Sequence, residues 1–234
     1  MEKTILLISD CHAPHQHKDT LDFLKAIKKK YSPISRVISL GDEVDGHSWS
    51  FHSHSPDLAS AGHELENAKK FLKELEKLFP KMDILESNHG SLIYRKALAY
   101  GLPRGFFKSY NDYLEVGKGW KWHEDLIVKA SNGQEIYLCH GKTTNIMKLG
   151  QQYGMNVVQG HYHTKFAIHY WGNPNALHWG LQAGCLIDKD SLAYEYNKLF
   201  KDRPIIGTGI IIDGLPKLLP MVLNKGGRWN KVVP

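Results

Sequence analysis

The amino-acid sequence predicts an α/β fold, a mixed β-sandwich flanked by helices. In the first two thirds of the chain, short apolar runs that suit buried strands alternate with stripes of helical spacing. The last third instead holds strand-like segments separated by turns rich in Gly, Pro and Asn. No repeat or linker interrupts the 234 residues, so we expect one domain over residues 1–234.

Each predicted element follows from a local pattern. The predicted strands cover residues 4–9, 36–40, 82–86, 126–130, 135–139, 156–159, 165–171, 177–183, 205–213 and 217–223. Helices are predicted from the apolar stripes around residues 21–27, over 62–79 where Pro80 ends the stripe, and over 144–153. Residues 126–139 form a hairpin pattern because Ser-Asn-Gly-Gln separates two apolar runs.

Composition narrows the class of protein. The net charge of +6 favours phosphate-bearing partners, but the lysines are scattered along the chain. The three cysteines show no CxxC spacing and predict buried thiols, not a disulfide framework. No apolar run approaches the roughly 20 residues that cross a bilayer, and the first residues do not form a signal sequence, so we expect a cytoplasmic protein without membrane contact.

Five polar clusters follow apolar runs directly, at the points where strands give way to loops. They are Asp10-Cys11-His12, Gly41-Asp42-Glu43-Val44-Asp45, Ser87-Asn88-His89-Gly90, Cys139-His140-Gly141 and Gly160-His161-Tyr162-His163. The carboxyl ends of strands line the ligand crevice of open α/β sheets, so we expect these loops to converge. The sequence therefore predicts one site built from distant segments.

The donor types of these clusters favour a transition metal. Carboxylate and amide oxygens with imidazole nitrogens suit manganese, iron or zinc, whereas magnesium and calcium prefer oxygen donors alone. Asp42 follows Gly41, which allows a sharp backbone turn, and its carboxylate can bridge two cations. Two cations about 3.5–4 Å apart can share a hydroxide and hold phosphate oxygens.

The order D-x-H, G-D-x-x-D, N-H, H and G-H-x-H across residues 10–163 resembles the calcineurin-like metallophosphoesterases. The resemblance implies a four-layer α/β/β/α fold and two divalent metal ions, manganese first, with iron, zinc or nickel as alternatives. It implies one metal bound by Asp10, His12, Asp42 and His163, and the other by Asp42, Asn88, His140 and His161.

The resemblance also implies that His89 is the acid that protonates the leaving-group oxygen. Asp45, the last residue of G-D-x-x-D, is the candidate to orient or charge His89. The chain departs from the family at one place, since the family usually has G-N-H-D or G-N-H-E where this chain has Ser87, Asn88, His89 and Gly90. This departure affects the geometry of the loop and the substrate preference.

Other residues are candidates for substrate contact. Lys142 follows His140 by two residues and Arg95 follows the His89 loop, so either could bind phosphate, although both could be ordinary surface charge. Residues 46–63 form a candidate substrate-facing insert, and a polar loop with surface histidines is the alternative. Its histidines are His47, His52, His54 and His63.

Three functions are consistent with these patterns. The first is a two-metal phosphomonoesterase for a small phosphorylated metabolite such as a nucleotide. The second is a phosphodiesterase or nuclease for cyclic nucleotides or nucleic acid, for which Trp120 and Trp122 could supply stacking surfaces. Those rings could equally pack in the core. The third is a noncatalytic scaffold, which the complete set of implied ligands disfavours.

Overall fold

A computed structural model describes residues 1–51, 59–188, 190 and 203–234. Its strands are β1 (Thr4–Ile8), β2 (Arg36–Ser39), β3 (Met82–Leu85), β4 (Trp120–His123), β5 (Leu126–Lys129), β6 (Glu135–Cys139), β7 (Asn156–Gln159), β8 (Phe166–Gly172), β9 (Leu177–Ala183), β10 (Gly207–Ile212) and β11 (Leu215–Pro220). Its α-helices are α1 (Thr20–Tyr31), α2 (Ala61–Leu78), α3 (Leu92–Ala99), α4 (Tyr110–Leu114) and α5 (Ile146–Tyr153). Short 3₁₀ helices cover His47–Trp49 and Arg104–Phe106.

The strands form two mixed sheets. The six-stranded sheet has the order β11-β10-β1-β2-β3-β4, in which β1 to β4 are parallel and β10 and β11 are antiparallel additions. The five-stranded sheet has the order β5-β6-β7-β9-β8, in which β6, β7 and β9 are parallel and the two edge strands are antiparallel. Strands β8, β10 and β11 correspond to strand-like segments predicted in the last third of the chain.

Alternation along β1 shows how the layers form. Ile5 and Leu7 belong to the cluster of buried side chains between the two sheets, whereas Leu6 and Ile8 belong to the cluster under α1 and α2. The strand is thus buried on both faces, which explains its uninterrupted apolar run. A third cluster packs α5 on the outer face of the five-stranded sheet. The predicted four-layer α/β/β/α sandwich is confirmed.

Most predicted elements occur within one or two residues of their predicted ends, but the segment between residues 87 and 125 differs. The sequence analysis missed α3, α4 and β4 there. Helix α3 exposes Ile93 and Leu98, so its apolar residues do not form a single stripe. Strand β4 has only four residues and lies at a sheet edge. Trp120 is buried in the core and its indole N–H donates to the Phe79 carbonyl at 2.9 Å.

The cysteines agree with expectation. Cys11, Cys139 and Cys185 are buried free thiols, and burial raises the pKa of each. Among the helices of the described ranges, none is both long enough and apolar enough to span a membrane.

Asp19 anchors the C-terminal segment to the start of α1. Its buried carboxylate accepts hydrogen bonds from Arg228 Nε and from the backbone N–H of Trp229, both at 2.8 Å. The Trp229 ring packs edge-on against Phe23 of α1, with ring centroids 5.3 Å apart. The guanidinium of Arg228 lowers the pKa of Asp19 despite the opposing effect of burial. This anchor helps to seat α1 against the six-stranded sheet.

We predict that Asp19→Asn lowers the free energy of unfolding at pH 7 by about 1–3 kcal/mol, because charged hydrogen bonds to a buried carboxylate are lost. The pKa of Asp19 is lower in the folded protein than in the unfolded chain, so the charged carboxylate stabilises the fold above pH ~4. This stabilisation is lost as the pH falls toward the folded-state pKa. The difference between wild type and variant should therefore shrink at pH 3 in urea unfolding. Asp22→Asn, at an exposed ion pair with Lys25, is the matched control. An equal effect of both substitutions would contradict the anchor.

Candidate metal centre

Five loops meet beyond the carboxyl ends of neighbouring parallel strands. Strands β1, β2 and β3 are adjacent in one sheet, and β6 and β7 are adjacent in the other. Since the two sheets pack face to face, the loops that leave these five strands reach the same end of the sandwich. They bring together all seven residues that the resemblance implies as ligands: Asp10, His12, Asp42, Asn88, His140, His161 and His163.

The first donor set contains Asp10, His12, Asp42 and His163, whose donor atoms all lie within 4.8 Å of one another. The Nε2 atoms of His12 and His163 are 3.1 Å apart. His163 Nε2 lies 3.2 Å from Asp10 Oδ1, and His12 Nε2 lies 3.4 Å from Asp42 Oδ2. Two carboxylates and two imidazoles therefore converge on one point.

The second donor set contains Asp42, Asn88, His140 and His161. Asn88 Oδ1 lies 2.7 Å from His140 Nε2 and 3.1 Å from His161 Nδ1. The two ring nitrogens are 3.2 Å apart, and His140 Nε2 is 3.2 Å from Asp42 Oδ2. Asp42 Oδ2 thus faces both donor sets.

The hydrogen-bond partners of two rings show that the donor atoms suit a cation. His12 Nδ1 lies 2.7 Å from Asp45 Oδ1, and His140 Nδ1 lies 2.8 Å from the Leu40 carbonyl. Both partners accept hydrogen bonds, so Nδ1 of each ring carries a proton, and Nε2, which faces Asp42, is the nitrogen available to bind a metal. Imidazole nitrogens and carboxylate oxygens that face one another in this way form a donor set that fits divalent metals.

Backbone conformation at the centre is unusual. Asp10, His12, Asp42 and His161 have positive φ values of 50°, 51°, 54° and 65°. Such conformations cost about 1–3 kcal/mol each and persist where the surrounding structure enforces them. A Cβ on Gly160 would lie 2.6 Å from Asp10 Oδ2, so only glycine allows this close approach of the loops.

Burial and neighbouring charges have opposite effects on the pKa values of Asp42 and His140. Burial raises the pKa of Asp42, but the imidazoles of His140, His89 and His12 outweigh it and hold that pKa well below its usual value. Burial likewise lowers the pKa of His140, whereas the Asp42 carboxylate raises it, with a net value of about 9. The carboxylates therefore draw positive charge into a buried site.

His89 lies beside the first donor set, with its ring 4.6 Å from that of His12. Its backbone N–H donates to Asp42 Oδ1 at 3.0 Å, and its Nδ1 hydrogen-bonds to the backbone carbonyl of Asp45. Within the described ranges, no polar group is hydrogen-bonded to Nε2. Burial lowers the pKa of His89, but Asp42 and Asp45 raise it above its ordinary value.

Asp45 contacts both His89 and His12, but through different groups. Its carbonyl meets His89, whereas its carboxylate is 2.7 Å from His12 Nδ1 and 3.8 Å from His89 Nδ1. The carboxylate acts on His89 by its charge and on His12 by a direct hydrogen bond. The resemblance indicated only the pairing of Asp45 with His89, because the contact between Asp45 and His12 joins two loops that are distant in the chain and depends on how those loops pack.

A polar pocket of ≈ 430 Å³ borders the second donor set. Lys142 and Arg95, the two candidate substrate contacts, both line it beside His140 and His161. Lys142 Nζ is 3.1 Å from Asp125 Oδ2. Arg95 Nη2 donates to the carbonyl of Asn88 at 2.5 Å, which holds this guanidinium next to a donor residue.

The candidate insert over residues 46–63 is described only in part, since His52 and His54 lie outside the described residues. His47 is buried, and its backbone N–H donates to Glu64 at 2.8 Å. His63 is exposed in the first turn of α2. Phe51 is exposed and lies 5.7 Å from the Arg95 guanidinium.

Ser87 is a residue whose role the sequence analysis did not identify. Its hydroxyl accepts the backbone N–H of Asp42 at 2.9 Å and that of Gly90 at 3.1 Å. A Cβ on Gly90 would lie 2.8 Å from the same Oγ. Ser87 and Gly90 therefore fit each other, and together they hold the turn that carries Asp42. Both residues depart from the usual family pattern, and this departure is the feature of the sequence that could have identified the role of Ser87.

The chain is similar to one protein family and to several solved structures. The family model of the calcineurin-like phosphoesterases matches residues 3–199, which include all seven donor residues. Vps29 of Chaetomium thermophilum is 13% identical with a TM-score of 0.49, and the match covers 99% of this chain and 96% of that chain. A metallophosphoesterase of Sphaerobacter thermophilus is 13% identical with a TM-score of 0.44, covering 93% and 87%. No curated protein matches the sequence.

We predict that Gly90→Asp weakens binding of Mn²⁺ by about 10- to 100-fold, the usual cost of disturbing a group that supports a ligand. The new Cβ pushes on Ser87 Oγ, which supports the Asp42 backbone. Adding Ser87→Gly removes the clash and should recover part of the affinity, as measured by calorimetric titration. Gly105→Asp is the control, because its Cβ meets no atom within 4 Å. If Gly90→Asp binds Mn²⁺ with the affinity of the wild type, the close fit between Ser87 and Gly90 does not support the metal centre.

Proposed function

The chain belongs to the calcineurin-like phosphoesterases, and on this basis we propose that it hydrolyses phosphoesters at a two-metal centre. One observation carries the proposal: Asp42 Oδ2 lies 3.4 Å from His12 Nε2 and 3.2 Å from His140 Nε2. A single buried carboxylate oxygen that faces two donor sets is suited to bridge two cations.

The two donor sets that share Asp42 would hold the ions. Manganese is the first candidate, with iron, zinc and nickel as alternatives, because the donors mix oxygen with imidazole nitrogen. Bound divalent ions activate water and neutralise the charge of phosphate oxygens. Asp45 and the Leu40 carbonyl keep His12 and His140 in the orientation that binding needs.

His89 supplies the leaving-group proton in this proposal. The Asp45 carbonyl binds Nδ1, so Nε2 is the nitrogen that donates to the departing oxygen. The backbone N–H of His89 also binds Asp42 Oδ1. The acid and the bridging carboxylate are therefore held in one hydrogen-bonded unit, and the proton donor stays in place beside the reacting phosphate.

We further propose a small phosphomonoester as the substrate, with a nucleotide among the candidates. The polar pocket of ≈ 430 Å³ has the size of a small-molecule site, and Arg95 and Lys142 can neutralise phosphate charge at its walls. The net charge of +6 supports a second candidate, a phosphodiesterase or nuclease. A noncatalytic scaffold is the remaining alternative.

Hydrolysis of nitrophenyl phosphate and of bis-nitrophenyl phosphate tests these alternatives. Metal-free protein reconstituted with manganese, nickel, zinc or magnesium should hydrolyse the monoester faster with manganese than with magnesium. Preference for the diester supports the second candidate. Absence of activity with every metal and both esters favours the scaffold.

We predict that Asp42→Asn reduces the metal content of both sites, because the lost charge is the one that the two donor sets share. Elemental analysis should show up to two transition-metal ions per wild-type chain and fewer in the variant. Asp112→Asn, at an exposed position of α4, controls for loss of a carboxylate. Unchanged metal content with strong activity in Asp42→Asn would exclude the bridging role.

We predict that His89→Ala retains its metals but lowers kcat by about 10²–10⁴-fold for esters with poor leaving groups. Esters with good leaving groups should be affected less, because their oxygen departs without a proton. His169→Ala, on the exposed edge strand β8, is the control. Equal losses for both kinds of ester would indicate that His89 positions phosphate instead.

A further inference from the structure

A second pocket lies beside His89 and differs in chemistry from the polar one. It has a volume of ≈ 350 Å³ and lies among α2, α3, α4 and the 3₁₀ helix His47–Trp49. Its walls include Trp49, Leu65, Ile93 and Tyr113, and His89 also lines it. Two aromatic rings and two aliphatic side chains thus surround a cavity that reaches the proposed proton donor.

The position of this pocket relates it to one part of the substrate. Asn88 lines the polar pocket beside the metal donors, and the next residue, His89, lines the apolar pocket. A phosphoester bound at the metal centre places its leaving oxygen at His89 Nε2. The group attached to that oxygen extends past the His89 ring, and the apolar pocket is a cavity that His89 also lines.

The lining determines which leaving group fits. Among the lining residues that the structure describes, Lys96 is the one with a permanent charge, and its Nζ lies 5.3 Å from the ring centroid of Phe51. Burying an apolar group there gains about 0.8 kcal/mol per methylene, whereas burying unpaired hydroxyls costs free energy. A volume of ≈ 350 Å³ lies near the lower end of the range of about 300–1,000 Å³ for small-molecule sites.

We propose that this pocket binds the leaving alcohol of the substrate, and that this alcohol is an apolar alkyl or aryl group. The inference rests on the proposed function. The phosphorus–oxygen bond of the ester breaks with its electron pair going to the alcohol oxygen, which takes a proton from His89 Nε2. Water supplies the oxygen that joins phosphorus; one of its protons stays on the inorganic phosphate, and the other restores the proton that His89 gave to the alcohol. The products are the alcohol and inorganic phosphate.

A series of n-alkyl phosphates from methyl to hexyl tests the pocket, because leaving-group basicity changes little while apolar length grows. We expect kcat/KM to rise about fourfold per buried methylene until the pocket is full. Adenosine 5′-monophosphate, whose leaving oxygen is attached to a polar ribose, should be a poorer substrate than hexyl phosphate. A flat series, or preference for the nucleotide, overturns the inference.

Substitutions at Ile93 test whether the preference for longer alkyl phosphates arises in the apolar pocket, which Ile93 lines. Ile93→Trp should fill the pocket and reduce the ratio of kcat/KM for hexyl phosphate over methyl phosphate, and Ile93→Asp should reduce it through charge. Ile93 is 36% exposed, so both variants are compatible with folding, which thermal unfolding checks. Leu98→Trp, at a 74% exposed position of the same helix, is the matched control. An unchanged ratio in both Ile93 variants overturns the inference.

Binding of phosphonates distinguishes failure of the pocket from failure of the hydrolase proposal. Hexylphosphonate contains no ester and should bind more tightly than methylphosphonate in calorimetric titration, with the preference lost in Ile93→Trp. If no ester is hydrolysed but hexylphosphonate still binds more tightly than methylphosphonate, the hydrolase proposal fails, and the pocket is still shown to bind an apolar group. If esters are hydrolysed without any preference for length in rate or binding, the pocket inference alone fails.

Discussion

The buried carboxylate of Asp42 imposes the constraint on which the rest of the centre depends. It is 1% exposed, and a buried charge is costly unless partners compensate it. Its two oxygens have different partners: Oδ1 accepts the His89 N–H, and Oδ2 faces His12 and His140. Because Oδ2 serves both donor sets, neither set is independent of the other. The proposed acid is connected to the same group through its backbone.

The sandwich supplies the rigidity that this arrangement needs. Four donor residues have positive φ, and each such residue costs about 1–3 kcal/mol unless its neighbours hold it there. Parallel strands in two packed sheets fix where the five loops begin, and the core between the sheets keeps those starting points together. Ser87 adds a local restraint by accepting the backbone N–H of Asp42. The strain is therefore offset by contacts outside the donor set.

Two consecutive residues border two pockets of different chemistry. Asn88 borders a polar pocket with Arg95 and Lys142, and His89 borders an apolar pocket with Trp49. The first environment suits the charged phosphate, and the second suits an uncharged leaving group. Metal chemistry is supported by the strand-end loops, whereas substrate selection in the proposal depends on α2, α3 and α4. A change in those helices can alter specificity without moving a donor residue.

The sequence by itself determined the sandwich and the polar clusters at its strand ends, because apolar runs of strand length and the polar residues after them are local patterns. The resemblance to a family supplied the candidate donors within those clusters. The sequence analysis missed β4 and α3, whose signals are short or masked by exposed apolar residues. Only the tertiary structure decided that one oxygen of Asp42 faces both sets, and that Asp45 meets His12 by its carboxylate but His89 by its carbonyl. Only the tertiary structure shows that α2, α3, α4 and the 3₁₀ helix form an apolar pocket beside His89. These features join residues far apart in the chain, and their geometry depends on how sheets and helices pack.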